Sequence, residues 1–198
     1  MHDKKIYQRL QVWFPELESL KIPKKKFRRD FDTFYYWLSP KNITEPTADD
    51  DLQEHKYRGY FLSIDRDQHF DNGIEACALF QDLSVDVDAI QNRIELRTAP
   101  LFEHFEKYKD LIGNFYALRS HVYDIVLEEI YNEVRKQGYR MLLIYASEQI
   151  WMAVPDQPKK IEQFIQLFRK QFIGSHPSIE YYERFKPFNL NSFLSDDD

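Results

Sequence analysis

Between Tyr139 and Lys160 the chain runs YRMLLIYASEQIWMAVPDQPKK, and its apolar positions fall into two patterns. Met141 to Tyr145 is apolar without a break, as in a strand covered on both faces. Ile150, Met152 and Val154 then alternate with Trp151 and Ala153, so the second strand is also apolar on both sides, and Pro155 closes it. A hairpin turning at Ser147-Glu148 is predicted, with a cover needed on each face. From Pro158 the period becomes helical. Ile161, Phe164, Ile165, Phe168 and Phe172 form one stripe, with Gly174 at its end. This helix is expected on one face of the hairpin, and the long helix before it can share that face. The face holding Trp151 is left for the aromatic N-terminal third or for another molecule.

The long helix is marked by Leu118, Val122, Ile125, Val126, Ile130 and Val134, and it ends at Arg135, Lys136 and Gly138. Near the N-terminus Ile6, Leu10, Trp13, Leu17 and Leu20 keep helical spacing around Pro15, which predicts a kink or two short helices. FDTFYYWLSP suits helix or strand, and NITEPTADDDLQEH an exposed loop. YRGYFLSID, IEACALFQDLSVDVD and RIELR alternate or run apolar over strand lengths, with Asp71-Asn72-Gly73 as the turn between the first two. PLFEHFEKYKDLIG predicts a helix opened by Pro100 and stopped at Gly113. The last stretch is expected to wrap the surface and to fray at Asp196-Asp197-Asp198.

These elements predict an α+β fold, a mostly antiparallel sheet with helices packed on it and a helical N-terminal segment. A chain of 198 residues is expected to form one domain. Within it residues 1–55 could form a helical subdomain beside an α+β body over 56–198. Folding at this size buries about 70% of the unfolded surface, enough for a core without staples. Composition adds an aromatic emphasis, with 16 Phe, 13 Tyr and 3 Trp, so large rigid side chains fill the core and some reach the surface.

A lone cysteine, Cys77, excludes an internal disulfide and a multi-cysteine zinc site. Neither a signal-peptide core nor a membrane-span-length apolar run is present, so a cytoplasmic chain with no membrane partner is expected. The net charge of −6 argues against a general nucleic-acid binder.

Several constellations carry candidate chemistry. Lys24, Lys25, Lys26, Arg28 and Arg29 could hold phosphates, with Phe27 and Tyr35 or Tyr36 for base stacking; the plain alternative is a solvated junction between helices. His121, Asp124 and Glu128 share a helix side at i, i+3 and i+7, with His104 as a fourth candidate ligand, but Asn132 and Arg135 continue the stripe as an ordinary polar face. Cys77 with His69 suggests a thiol nucleophile, but the apolar IEACALF setting favours a small core residue. Asp82 or Asp86 with Glu95 and Arg97 resembles, over those positions alone, the restriction-enzyme-like nucleases. Arginine stands where that pattern has lysine, and it cannot readily lose a proton to activate water.

No Gly-rich phosphate loop, nucleophile elbow or HExxH stands in the chain, and no cofactor or metal is implied. A non-catalytic protein-binding factor is the expectation. In size and composition the chain is similar to small bacterial immunity or antitoxin proteins. Asp49, Asp50, Asp51, Asp86 and Asp88 would steer a basic partner, and exposed aromatics with Trp151 among them would dock it. The alternative is a nucleic-acid binder or metal-dependent nuclease.

Overall fold

The computed structural model describes residues 3–38, 59–62, 74, 77–112, 118–146, 149–173, 177–183, 186 and 189. Strands β1 (Gly59–Leu62), β2 (Tyr139–Tyr145), β3 (Gln149–Pro155) and β4 (Ser178–Tyr182) form one antiparallel sheet in the order β1-β3-β2-β4. The predicted hairpin is its centre, running in register from Tyr139 opposite Pro155 to Tyr145 opposite Gln149. The helices are α1 (Lys5–Trp13), α2 (Phe31–Leu38), α3 (Ala78–Asp82), α4 (Val87–Ile112), α5 (Leu118–Lys136) and α6 (Pro158–Gln171). The α+β class follows.

Strand pleating separates the hairpin's two apolar sets. Leu142, Ile144, Ile150, Met152 and Val154 share one core cluster with Ile6, Leu10, Phe34, Phe164 and Phe168 of α1, α2 and α6. Met141, Leu143, Trp151 and Ala153 share the other with residues of α3, α4 and α5. Both covers therefore come from this chain, and the N-terminal helices share the body's core.

The assignment of covers differs from the expected one. α5 lies opposite α6, and the N-terminal third joins α6 instead of covering Trp151. Both faces of the hairpin are apolar, and the two helices that flank it in sequence, α5 and α6, take one face each. Trp151 is fully buried, its ring 6.2 Å from that of Phe80 in α3. An exposed docking role for it does not hold in this fold.

The segments IEACALFQDLSVDVD and RIELR, expected as strands, are helical from Ala78 to Asp82 and from Val87 onward. Burial of Ile90, Ile94, Thr98 and Leu101 follows the helical steps i, i+4, i+8 and i+11 straight through Pro100. Arg93 to Arg97 only imitates strand alternation, since Leu96 is 76% exposed. Pro100 therefore lies inside α4 and does not open it. The Thr98 hydroxyl donates to the Ile94 carbonyl at 2.8 Å, one turn before the proline interrupts the backbone ladder.

Elsewhere local chemistry sets the boundaries. α1 stops at Trp13 and a short 3₁₀ turn follows over Pro15–Leu17, matching the break predicted at Pro15. Asp30 caps α2, accepting from the Thr33 amide at 2.8 Å. β4, expected as surface wrapping, pairs with β2 and buries Ile179 opposite Ile144. The Asp71-Asn72-Gly73 turn and Asp196 to Asp198 lie outside the described residues.

Candidate functional site

Two polar regions among the described residues bear on function. The first is a seam of ions between α4 and α5. Arg93 donates through Nε to Glu129 at 2.9 Å, and Arg97 bridges Glu129 at 2.6 Å and Glu128 at 3.1 Å. One turn on, Glu133 accepts from Lys136 and Gln137, each at 3.0 Å, with Arg93 at 3.7 Å. Glu128, Glu129 and Glu133 are nonetheless all buried. A buried carboxylate is tolerated only when paired and hydrogen-bonded, and the two arginines of α4 supply both. Burial pushes the Glu133 carboxyl up, but hydrogen bonds from Lys136 and Gln137 and the charges of Lys136 and Arg93 outweigh it, leaving it below the ordinary carboxylate range.

The seam accounts for the nuclease-like positions. Arg97 is engaged by two carboxylates. Asp86 caps α4, accepting from the Ala89 amide at 2.9 Å. Glu95 lies on the exposed side of α4 beside Gln91, at 3.5 Å. Nine residues of helix put Asp86 and Glu95 about 13 Å apart along the axis, too far to share one metal. Among the described residues no three His, Cys, Asp or Glu form a group able to hold a metal ion, and Glu128 of the His121 stripe faces Arg97. Cys77 is buried where α3 begins, its carbonyl accepting from the Phe80 and Gln81 amides; His69 lies outside the described residues.

The remaining sequence candidates are placed unevenly. Asp86 and Asp88 are exposed at the start of α4. Asp49, Asp50 and Asp51 lie outside the described residues. In the basic run Lys24, Lys25, Lys26 and Arg29 are exposed, around a 3₁₀ turn over Lys25–Phe27. Arg28 is structural. Its Nε donates to the Pro23 carbonyl at 2.7 Å, its guanidinium lies 3.7 Å from Asp3, and its own carbonyl accepts from Gln171 at 2.6 Å and Tyr7 at 3.3 Å. Burial raises the Tyr7 phenol well above its ordinary range, so it stays a donor there.

The second region is a surface groove of about 550 Å³ between α1 and α6. Its cations are Lys5, Arg9 and Lys170, its apolar side chains Val12 and Leu167. Among the described residues these cations make no ion pair; Arg9 lies 5.8 Å from the Trp13 ring. The sequence carried a signal for this site, basic and amide residues on the side of each helix away from its apolar stripe, which the denser run at Lys24 overshadowed. No helix among the described residues is long and apolar enough to cross a membrane. Set against family models, curated proteins and solved structures, the chain matches none of them.

Proposed function

We propose that the protein is a non-catalytic cytoplasmic binding factor that covers a protein partner, in the manner of a small immunity or antitoxin protein. The observation that carries this is the gathering of positive charge on one side, together with four of the six exposed large hydrophobic side chains among the described residues. Residues 3–38 and α6 together hold thirteen Lys and Arg against six Asp and Glu, in a chain whose totals are 27 and 33. On the same segments, or just past them, stand Val12, Phe27, Tyr36 and Ile173, exposed by 66%, 45%, 52% and 81%. Cations to steer and apolar side chains to anchor are what a protein interface combines. The partner patch is then acidic, opposite in sign to the basic partner that the acidic composition suggests.

Nucleic acid is the second reading, carried by Lys24, Lys25, Lys26 and Arg29. Phe27, the aromatic in that run, already has the Lys26 ammonium 4.6 Å from its ring centre, which occupies one face needed for base stacking. The deciding experiment isolates the tagged full chain from its native host at low and moderate salt and identifies bound protein and nucleic acid alike. One stoichiometric protein, released by charge reversal on α1 and α6, supports the binding factor. Nucleic acid alone, or no protein partner at all, overturns it.

A further inference from the structure

We propose that the groove between α1 and α6 is the docking site for an acidic amphipathic segment of a partner protein; this rests on the protein-binding reading above. The two walls are built alike. Lys5, Gln8, Arg9 and Val12 stand at i, i+3, i+4 and i+7 of α1, and Gln163, Gln166, Leu167 and Lys170 repeat that spacing on α6. Such positions form one continuous stripe on a helix. Each stripe lies on the other side of its helix from the buried set, Ile6, Leu10 and Trp13 on α1 and Ile161, Phe164 and Phe168 on α6. The groove is thus an outer cleft between two helices already fixed by the core beneath.

The helices run antiparallel. At one end the Trp13 ring packs 5.1 Å from Phe164, early in α6. At the other, Arg28 ties Asp3, before α1, to Gln171, the last residue of α6. Lys5 and Lys170 therefore share one end of the cleft, where the turn bearing Lys24 to Lys26 is anchored. Val12 lies towards the other end, opposite Gln163, and Arg9 and Leu167 stand between. The cleft is graded from cationic to apolar.

That grading selects the occupant. Three cations without acidic partners among the described residues call for carboxylates or phosphates. Val12 and Leu167 offer apolar side chains where a polynucleotide backbone has nothing to bury, and among the described residues no exposed aromatic ring lines the cleft for base stacking. Gln8, Gln163 and Gln166 both donate and accept, which suits peptide groups, donors and acceptors alike, better than acceptor-only phosphodiesters. Nine residues of α1 give a cleft about 13 Å long, room for two to three helical turns. A helix with carboxylates at one end and leucines at the other fits it.

The test titrates the full ¹⁵N-labelled chain with a 12-residue peptide carrying glutamates in its first half and leucines at helical spacing in its second. A scrambled peptide and a 12-nucleotide oligothymidine serve as controls. Amide shifts should map to residues 5–13 and 158–171, and binding should weaken at least about tenfold in K5E/R9E/K170E. In V12S it should weaken about threefold, for loss of apolar surface. K24E/K25E/K26E should change it less than threefold, and melting curves confirm that each variant is folded. Equal binding of the scrambled peptide, tighter binding of oligothymidine, shifts confined to residues 24–29, or no shifts at all would each overturn the site. A host complex that survives K5E/R9E/K170E would overturn the site while leaving the binding factor intact, whereas recovery of no protein partner would sink the binding factor itself.

Discussion

Arg97 of α4 donates to Glu129 of α5 across 2.6 Å, and the same carboxylate receives Arg93 at 2.9 Å. This pairing lets α5 lie between the sheet and α4 with three glutamates turned inward. Removing one partner of such a pair strands the other, and Arg97→Met should cost about 2–4 kcal/mol. Glu129→Gln keeps hydrogen-bonding capacity and should cost less, about 1–2 kcal/mol. The double variant should lose less than the sum of the two, by at least about 1 kcal/mol in a denaturant double-mutant cycle. Strict additivity would mean that the seam is not coupled.

Asp86 is assigned to helix capping, and the nuclease-like pattern assigns it to metal. The two roles part under substitution. Asp86→Ala should lower stability by about 1 kcal/mol, with Asp86→Ser near neutral. Glu95→Ala, on an exposed helix surface, should stay within about 0.5 kcal/mol. Magnesium should shift the melting temperature of none of these chains. A magnesium-dependent stabilisation abolished in both alanine variants would restore the metal site.

What was legible in the sequence had a single periodicity to show. The Met141–Tyr145 and Ile150–Val154 strands, the stripe of α6 and the break at Pro15 rest on local patterns that no tertiary contact had to arbitrate. The α4 segment failed because Arg93 to Arg97 fits strand alternation over five residues, while the helical steps from Ile90 through Ile94 and Thr98 to Leu101 need twelve residues and a polar residue among them. Pro100 reinforced the error by offering a plausible helix start. The cover of each hairpin face was not legible, because both flanking helices are amphipathic and both faces of the hairpin are apolar, so no local pattern assigns a helix to a face. The groove was least legible, since it exists only where two stripes separated by some 160 residues of sequence meet.

Gly138 follows α5 with φ +78° and donates its amide to the Arg135 carbonyl at 3.0 Å, the left-handed residue that ends the helix and turns the chain into β2. A methyl group there would meet nothing within 4 Å, so the cost of Gly138→Ala is conformational, about 1–2 kcal/mol. Gly138→Asn should cost less, because asparagine tolerates this region. Urea midpoints ordered Gly above Asn above Ala would match, whereas equal midpoints for Gly and Ala would contradict the assignment.

Glu133 makes stability depend on acid. Its hydrogen bonds from Lys136 and Gln137 hold the folded-state carboxyl below its ordinary value despite its burial. In the unfolded chain it returns to about 4.3. The unfolded state then binds protons first as pH falls, and the stabilisation, fully present above the unfolded value, fades as pH drops through the folded one. Glu133→Gln removes the titrating group and keeps hydrogen-bonding capacity. The stability difference between the parent chain and this variant should be constant from pH 7 to about 5.5 and then shrink towards pH 3. Lys136→Met should weaken the same acid dependence by removing one source of the depression. A difference that stays flat across the whole range would show that Glu133 titrates alike in the folded and unfolded chains, and that its bonds to Lys136 and Gln137 do not favour the ionised form.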